Sequence, residues 1–567
     1  MDLLTHILTG FGDAFTPTNL LYCFIGVIMG TLVGILPGLG PATAIALLLP
    51  LTLGLDPLPA LIMLAGIYYG SMHGGIITAV LIATPGESSA VVTVLDGHTL
   101  ARMGRAGPVL AMSALASFLA GTLTIPFVMI FVSVLGTFSL RFGPPEISVI
   151  ILLGLVGVVG FVGKNRFKGF AMAAAGLLIA AVGLDTGTGI PRFTFGITEM
   201  FGGVDFLYAV IGLFALGEVL HSIGVGQPNP IRTRLREMII TRDDWRHSRM
   251  PILRGGFLGL FLGMMPGAGA TVSSFLSYDM ERRIGARKGR VLGTGVIEGV
   301  CGPQAADNAA VNGSFVPTLS LGIPGSAATA IVLGGMLLHG IQPGPLLMTT
   351  EPRLVWGLLA SFYIGNLMLV LINVPLAPLF ASILRVKYAF LYPAVVVLCF
   401  IGAFSVDNHM TGVWLAFIFG IVGWFAVRYD YPLAPMILGI ILGGPFERSI
   451  VQSAEIGRGS MAIYLDHPIA LTLLAIVAAM VILPPVISRL RRSAGKPPIT
   501  DLSAPLESLA AQKPMPEATL ADVDATEAHE PGADINDAPS NPTATSRGDT
   551  EKGERAPLIA KGRSGKN

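Results

Sequence analysis

The chain has 567 residues but only 36 Lys+Arg and 35 Asp+Glu, 13% charged against 52% hydrophobic, with a mean hydropathy of +0.71. An ordinary soluble domain carries about 25% charged residues, and a soluble chain of this length divides into domains with mostly polar surfaces, so the composition excludes that class and requires apolar surface facing lipid. A net charge of +1 leaves no basic stripe for a phosphate backbone and excludes nucleic acid as a partner, while Cys23, Cys301 and Cys399, without CxxC spacing, indicate neither a disulfide framework nor a zinc site.

The opening MDLLTHIL lacks a basic n-region and the apolar run 19–36 lacks a small-residue cleavage pattern, which predicts a retained span rather than a signal peptide. Further runs long enough to cross about 30 Å of hydrocarbon lie at 57–83, 109–136, 144–163, 167–185 and 204–223. A second set follows at 252–265, 309–338, 354–376, 388–405, 411–427, 432–444 and 468–488. The expected fold is all-α, a polytopic membrane protein of roughly twelve transmembrane helices. Its expected divisions are a first membrane repeat with connecting helices (1–228), a basic cytoplasmic loop (229–254), a second membrane repeat with additional helices (255–489) and a hydrophilic tail (490–567). The tail is rich in Pro, Ala, Ser, Asp, Glu and Lys without apolar periodicity, which predicts disorder, on the cytoplasmic side. Lys and Arg gather at Arg102 and Arg105, at Lys164 to Lys168, from Arg232 to Arg254, from Arg282 to Arg290, at Arg385 and Lys387, and from Arg489 to Arg492. The positive-inside rule places those loops in the cytoplasm.

The sequence repeats itself. GTLVGILPGLGPATA from Gly30 aligns without gaps to GLFLGMMPGAGATVS from Gly259, and ATPGESSAVVTVL around Pro85 and Gly86 is echoed by GIPGSAATAIVL around Pro324 and Gly325. The first proline–glycine motif is followed by LPLTLGLDPLP, without Lys or Arg, and its echo by SYDMERRIGARKGR. At the second motif the bias reverses, from the basic LDGHTLARMGRAGP to LGGMLLHGIQPGP. Opposite charge bias at both landmarks predicts two inverted repeats, and Gly/Pro-broken helices, re-entrant or discontinuous, at matching positions are the mark of secondary transporters.

Each break has a chemistry. Pro lacks an N–H and Gly tolerates unusual dihedrals, so the four motifs interrupt helices. Helices restarting after Pro85–Gly86 and Pro324–Gly325 offer free N–H groups, with the hydroxyls of Ser88, Ser89, Ser326 and Thr329, to a substrate carboxylate. Carbonyls stranded around Pro37, Gly38 and Gly40, and around Pro266, Gly267 and Gly269, with Thr43, Thr271 and Ser273 beside them, suit a small cation. Gln304, Asp307, Asn308 and Asn312 recur at helical spacing in an apolar stretch. They are read as lining the pathway, Asn308 and Asn312 toward substrate and Asp307, with His73, toward the coupling ion or a proton; helix-to-helix hydrogen bonding is the competing role. Glu87 is expected to cap the helix after Pro85, and Asp96, Arg102 and Arg105 to be surface charges. No cofactor is expected apart from a sodium ion. An intramembrane enzyme or a membrane scaffold without transport activity is the alternative, but the chain holds no GxSG, GxGD or P-loop string for the first, and the second accounts for neither the mirrored breaks nor Asp307.

GILPGLGPATAIALLLPLTLGLDPLPALIMLAGIYYG, LDGHTLARMGRAGP, PGAGATVSSFLSYDMERR and LGIPGSAATAIVLGGMLLHGIQPGPLL resemble the TctA-type large membrane subunit of the tripartite tricarboxylate transporters, over about 18–490. The resemblance implies ion-driven import of a small carboxylate, a tricarboxylate or dicarboxylate, across a bacterial inner membrane. It also implies two partners, a small TctB-like membrane subunit and a TctC-like periplasmic binding protein that delivers substrate. Where the family pattern reads YGGSTTAILLNTPGE this chain has HGGIITAVLIATPGE, with Ile76, Ile77 and Ala83 at polar positions. PEAANNA stands here as PQAADNA, with Gln304 in place of an acid and Asp307 in place of an amide. Fewer hydroxyl donors suit a smaller or less polar carboxylate than citrate.

Overall fold

Where no water is at hand to satisfy backbone N–H and C=O groups, apolar runs must fold as helices, and in the computed structural model they do. The structure describes residues 3–161, 165–185, 188–223, 230–231, 233–267 and 269–493; the expected tail lies outside the described residues from 494 on. The first part of the chain forms α1 (Leu3–Ala14), α2 (Pro17–Gly34), α3 (Pro41–Leu48), α4 (Pro57–Ile82), α5 (Val91–Leu100), α6 (Ala106–Ser139), α7 (Pro144–Phe161), α8 (Arg166–Ala180), α9 (Phe206–Val210) and α10 (Gly217–Ser222). The rest forms α11 (Arg242–Gly263), α12 (Gly269–Arg287), α13 (Glu298–Leu321), α14 (Ala327–Leu338), α15 (Leu347–Thr350), α16 (Pro352–Ile383), α17 (Tyr388–Asp407), α18 (Met410–Arg428), α19 (Leu433–Ile456), α20 (Ile463–Asp466) and α21 (Pro468–Ser493). Among the described residues the only strands are a two-residue ribbon, Gly183–Leu184 against Pro191–Arg192.

The all-α expectation holds, with a coarser count of spans. Among the described residues seven helices are long and apolar enough to cross a membrane, and shorter apolar helices such as Pro144–Gly160, Phe206–Ser222 and Pro468–Leu483 add to them. The run 309–338 is two helices, α13 and α14, because the chain turns at Gly322. The run 252–265 is only the far half of α11, which starts at Arg242 behind a Thr241 cap. Several helices begin with proline, whose missing N–H costs nothing in a first turn.

Two helices form the centre. Every residue of α4 from Ala60 to Ile82 and of α13 from Gly299 to Ser320 is buried, as expected for α4, which is almost wholly apolar, whereas α13 carries a buried polar series, Gln304, Asp307, Asn308 and Asn312. Each is clasped by a partner through small residues four apart. On α2, a Cβ at Gly26, Gly30 or Gly34 would fall well inside van der Waals contact of the carbonyl oxygens of Met63, Ile67 and Ser71. Gly66, Gly70 and Gly74 of α4 meet the backbone of α2 in return. On α11, Gly255, Gly259 and Gly263 stand in the same way against the carbonyl oxygens of Gly302, Ala306 and Ala310. Association in lipid relies on such backbone-to-backbone contact, since no hydrophobic drive is left between apolar helices.

Polar pins hold the ends. Asp96 is not the surface charge the sequence suggests: it is fully buried on α5 and accepts hydrogen bonds from the backbone N–H groups of Gly293 (2.9 Å), Gly295 (2.9 Å) and Val296 (2.9 Å) and from the Tyr278 hydroxyl (2.9 Å). Four donors offset the cost of burying the carboxylate. Arg105, also read as surface charge, pairs at 2.6 Å with buried Asp244, while Arg102 is exposed as expected. Burial raises the Asp244 carboxyl, but hydrogen bonds from Thr241 and Arg105 outweigh it and hold the group below the usual carboxylate range. Arg254 grips Glu281 with two bonds, at 2.8 and 2.6 Å.

The glycine contacts predict an uneven response to one added methyl. Gly30→Ala and Gly259→Ala must push paired backbones apart, and each is expected to cost about 1–3 kcal/mol or more. Gly12→Ala, where a Cβ meets nothing within 4 Å, should be neutral or slightly stabilising. Thermal unfolding midpoints of the three purified variants in detergent check this.

Candidate functional site

All four proline–glycine motifs interrupt helices. α2 stops at Gly34 and α11 at Gly263, and the chain turns through Gly38 (φ +85°) and Gly267 (φ +83°) before α3 and α12 begin. α4 ends at Ala83 (φ 53°) and α13 at Gly322 (φ 70°), both left-handed, and the chain then passes Pro85–Gly86 and Pro324–Gly325. Beyond these, Glu87 (φ −147°, ψ 163°) and Ser326 (φ −151°, ψ 168°) stand extended ahead of the next helical turn.

Within each half the two breaks touch. A Cβ at Gly86 would lie 2.7 Å from Gly75 Cα and 2.8 Å from the Gly34 carbonyl oxygen; one at Gly325 would lie 2.7 Å from Ser314 Cβ and 3.0 Å from the Gly263 carbonyl oxygen. Gly40 faces the Gly86 carbonyl and Glu87, and Gly269 faces the Gly325 carbonyl and Ser326. The Gly267 N–H donates to the Gly325 carbonyl at 3.1 Å. Pro37 and Pro324 are buried, Pro85 and Pro266 half-buried.

Across the halves, polar side chains converge. The Tyr68 hydroxyl on α4 lies 3.1 Å from Ser326 Oγ. The carboxylates of Glu87 and Asp307 lie within electrostatic reach of each other and of Tyr68, with the Ser89 side chain against both. Asp307 is 1% exposed, and neither of its oxygens finds a hydrogen-bond partner of ordinary geometry; Glu87 Oε1 and Ser89 Oγ are buried in the same condition. Asn308, next to Asp307, has both amide atoms unpartnered, as does His73 its Nδ1. Buried polar groups are ordinarily satisfied, so such a concentration of exceptions points to function.

Not every predicted site residue joins this cluster. Ser88 is exposed. Asn312 is spent on packing, donating to the Gly121 carbonyl (3.0 Å) and Thr124 Oγ1 (3.2 Å) and accepting from the Tyr69 hydroxyl. Ser326 and Thr329 cap one another, the Thr329 N–H donating to Ser326 Oγ at 3.2 Å and the Ser326 N–H to Thr329 Oγ1 at 2.9 Å. Ser273 Oγ donates to the Gly269 carbonyl (2.8 Å) and Thr43 Oγ1 to the Phe214 carbonyl (3.4 Å), while Thr271 is half-buried beside them. Glu87 corrects the sequence reading: it occupies the cap position but makes no capping hydrogen bond, because only a single tight turn, Ser88–Ala90, separates it from α5. Glu218 was missed. Its carboxylate lies beside the first break, 2.8 Å from where a Cβ of Gly38 would stand, with Ser222 at 3.3 Å. An acid deep inside the apolar run 204–223, whose other acid, Asp205, stands at its very start, was the available signal.

Comparison with known proteins agrees with this architecture. Residues 20–438 match the model of the tripartite tricarboxylate transporter TctA family. The uncharacterized 52.8 kDa protein in the TAR-I ttuC' 3' region of Agrobacterium vitis is 40% identical over 484 residues, 85% of this chain and 96% of the relative. The uncharacterized protein in the TAR-II ttuC' 3' region of the same organism is 40% identical over 225 residues, 40% of this chain and 93% of the relative. No solved structure matches the chain. With long apolar helices and a family match across most of its length, the chain belongs to the tripartite tricarboxylate transporter TctA family and is a multi-pass membrane component of a bacterial transport system, not an enzyme.

Proposed function

We propose that this chain is the secondary active transport subunit that imports a small carboxylate across the bacterial inner membrane, fed by a periplasmic binding protein, accompanied by a small membrane subunit and driven by a sodium or proton gradient. The observation that carries this reading is the meeting of two broken-helix hairpins at one unsatisfied polar cluster, Glu87, Ser89 and Asp307, at the edge of a hydroxyl pair, Tyr68 and Ser326. Broken helices surrounding a polar centre are the arrangement by which carriers hold ion and substrate together.

In this reading roughly twelve passes form two inverted repeats. Support comes from the contacts that recur in both halves: Gly34 on Ser71 and Gly263 on Ala310, Gly86 on Gly34 and Gly325 on Gly263, Gly40 facing Gly86 and Gly269 facing Gly325. The substrate carboxylate is assigned to the backbone after Pro85–Gly86 and Pro324–Gly325, with Ser89, Ser326, Thr329 and Asn308 nearby. The coupling ion is assigned to Asp307 with Glu87, and to the stranded carbonyls around Pro37, Gly38, Gly40, Pro266, Gly267 and Gly269. Buried Asp307 and the buried Oε1 of half-buried Glu87 have no basic partner, and a shared proton or a cation would resolve the repulsion between the two carboxylates.

Inversion has a direct test. Gly54→Cys, in an exposed turn with nothing within 4 Å of its Cβ position, should react with an impermeant thiol reagent from the periplasm. Exposed Arg287→Cys should react only from the cytoplasm. Reaction of both from one side would end the inverted-repeat assignment.

Coupling and binding separate by mutation. Asp307→Asn and Glu87→Gln should raise the ion concentration needed for half-maximal uptake at least about tenfold, the scale commanded at metal centres even by a ligand's hydrogen-bond partner. Ser326→Ala should weaken uptake by only about 1 kcal/mol, one lost hydroxyl bond. Vesicle uptake of labelled di- and tricarboxylates under separately imposed sodium and pH gradients measures both, and an unchanged ion dependence in the two acid variants would move coupling elsewhere.

A further inference from the structure

A basic cavity of about 360 Å³ lies between the polar ends of α11 and α12. Its walls carry five cationic side chains, Arg246, Arg249, Arg254, Lys288 and Arg290, and only two carboxylates. Those two are already spoken for: Glu281 binds Arg254 at 2.6 Å and Glu298 binds Arg290 at 2.9 Å. Arg246, Arg249 and Lys288 are exposed and make no ion pair among the described residues. The cavity thus keeps three uncompensated positive charges where α11 leaves its apolar half.

The apolar surroundings decide what kind of anion fits. Met250, in the cavity wall, is 49% exposed and starts an outward-facing path along α11 through Leu253 (40%), Phe257 (39%) and Phe261 (56%). The last three are four residues apart and share one helix face. Phe257 and Phe261 stand edge-on to Phe127 and Phe131 of α6, so the path is an aromatic-edged strip open to the outside. Charge at one end and a continuous apolar strip at the other complement a molecule with an anionic head and a hydrocarbon tail; a free anion would have no use for the strip.

We propose that this cavity binds the phosphodiester headgroup of an anionic phospholipid, with Arg246, Arg249 and Lys288 holding the phosphate and one acyl chain lying along Leu253, Phe257 and Phe261. Basic side chains at a membrane surface attract anionic headgroups, and guanidinium groups add forked hydrogen bonds to phosphate oxygens. The three proposed ligands Arg246, Arg249 and Lys288 lie on other elements than Glu87 and Asp307, and the site does not depend on which substrate or ion the chain handles.

The full chain, purified and delipidated in detergent, is titrated separately with phosphatidylglycerol, with phosphatidylcholine of identical acyl chains, and with inorganic phosphate. The thermal unfolding midpoint and the lipid retained in native mass spectra are read. Phosphatidylglycerol is expected to raise the midpoint saturably and to be retained, and the other two are not. The triple variant Arg246→Gln, Arg249→Gln, Lys288→Gln, which breaks no ion pair of the described residues, should need on the order of tenfold more phosphatidylglycerol or above for half the effect. Arg102→Gln, Arg385→Gln, Lys387→Gln, the same charge loss outside the cavity, should respond as the parent. A cavity variant with the parental response overturns the site; equal stabilisation by phosphate makes it a free-anion site, and equal stabilisation by phosphatidylcholine removes the headgroup assignment. Both of these outcomes overturn the proposal as well.

Discussion

A helix broken inside a bilayer strands N–H and C=O groups where no water can reach them, at several kcal/mol for each group left unsatisfied. In the proposed carrier the four proline–glycine interruptions are such breaks, and the packing around them serves to keep them covered. The two glycine-clasped pairs, α2 with α4 and α11 with α13, bring backbones close enough for the Pro85–Gly86 turn to rest on Gly34 and the Pro324–Gly325 turn on Gly263. A larger side chain at those glycines would open the pairs and expose the turns. Close packing and helix interruption are therefore one requirement, and both draw on the same residue type, glycine.

The two halves use the same turn for different ends. Glu87 and Ser326 share nearly the same backbone angles after equivalent proline–glycine pairs. Ser326 closes a reciprocal cap with Thr329 and touches Tyr68, so its helix start is satisfied and rigid. Glu87 closes nothing and carries a buried, unpartnered oxygen toward Asp307. A satisfied polar network rigidifies, whereas an unsatisfied one awaits a ligand. In the proposed carrier, this divides the labour: the second half supplies a fixed frame and the first half a responsive one.

How much of this was legible in the sequence follows from what each signal depends on. Breaks at proline–glycine pairs depend on local backbone chemistry, and all four stand where the motifs are. Apolar runs gave the long helices, since length and hydropathy are local as well. The fate of individual polar residues is tertiary. Asp96, next to Gly97 and His98 in a basic segment, looks like a loop charge, and only the distant turn at Gly293, Gly295 and Val296 explains its burial. Asn312 has the spacing of a pathway residue but spends its amide on α6 and α4. The glycines at four-residue spacing, Gly26, Gly30 and Gly34 against Gly66, Gly70 and Gly74, form a packing motif, but the abundance of Gly throughout the chain hides it among the rest.

Charge economy links the two ends of the molecule. Several buried or half-buried acids in the described residues are met by a base whose own side chain is partly open to the outside, as in Asp244 with Arg105, Glu281 with Arg254 and Glu298 with Arg290, so the exposed partner lowers the cost of desolvation. The interior pair Glu87 and Asp307 has no such partner. Placing an arginine beside it would satisfy both carboxylates permanently and leave nothing for an ion to complete. An unpartnered acid pair in the interior is costly to the fold, and in the proposed carrier a mobile cation or proton supplies the missing charge for part of each cycle. In this reading that cost is what makes the acid pair responsive to an ion gradient.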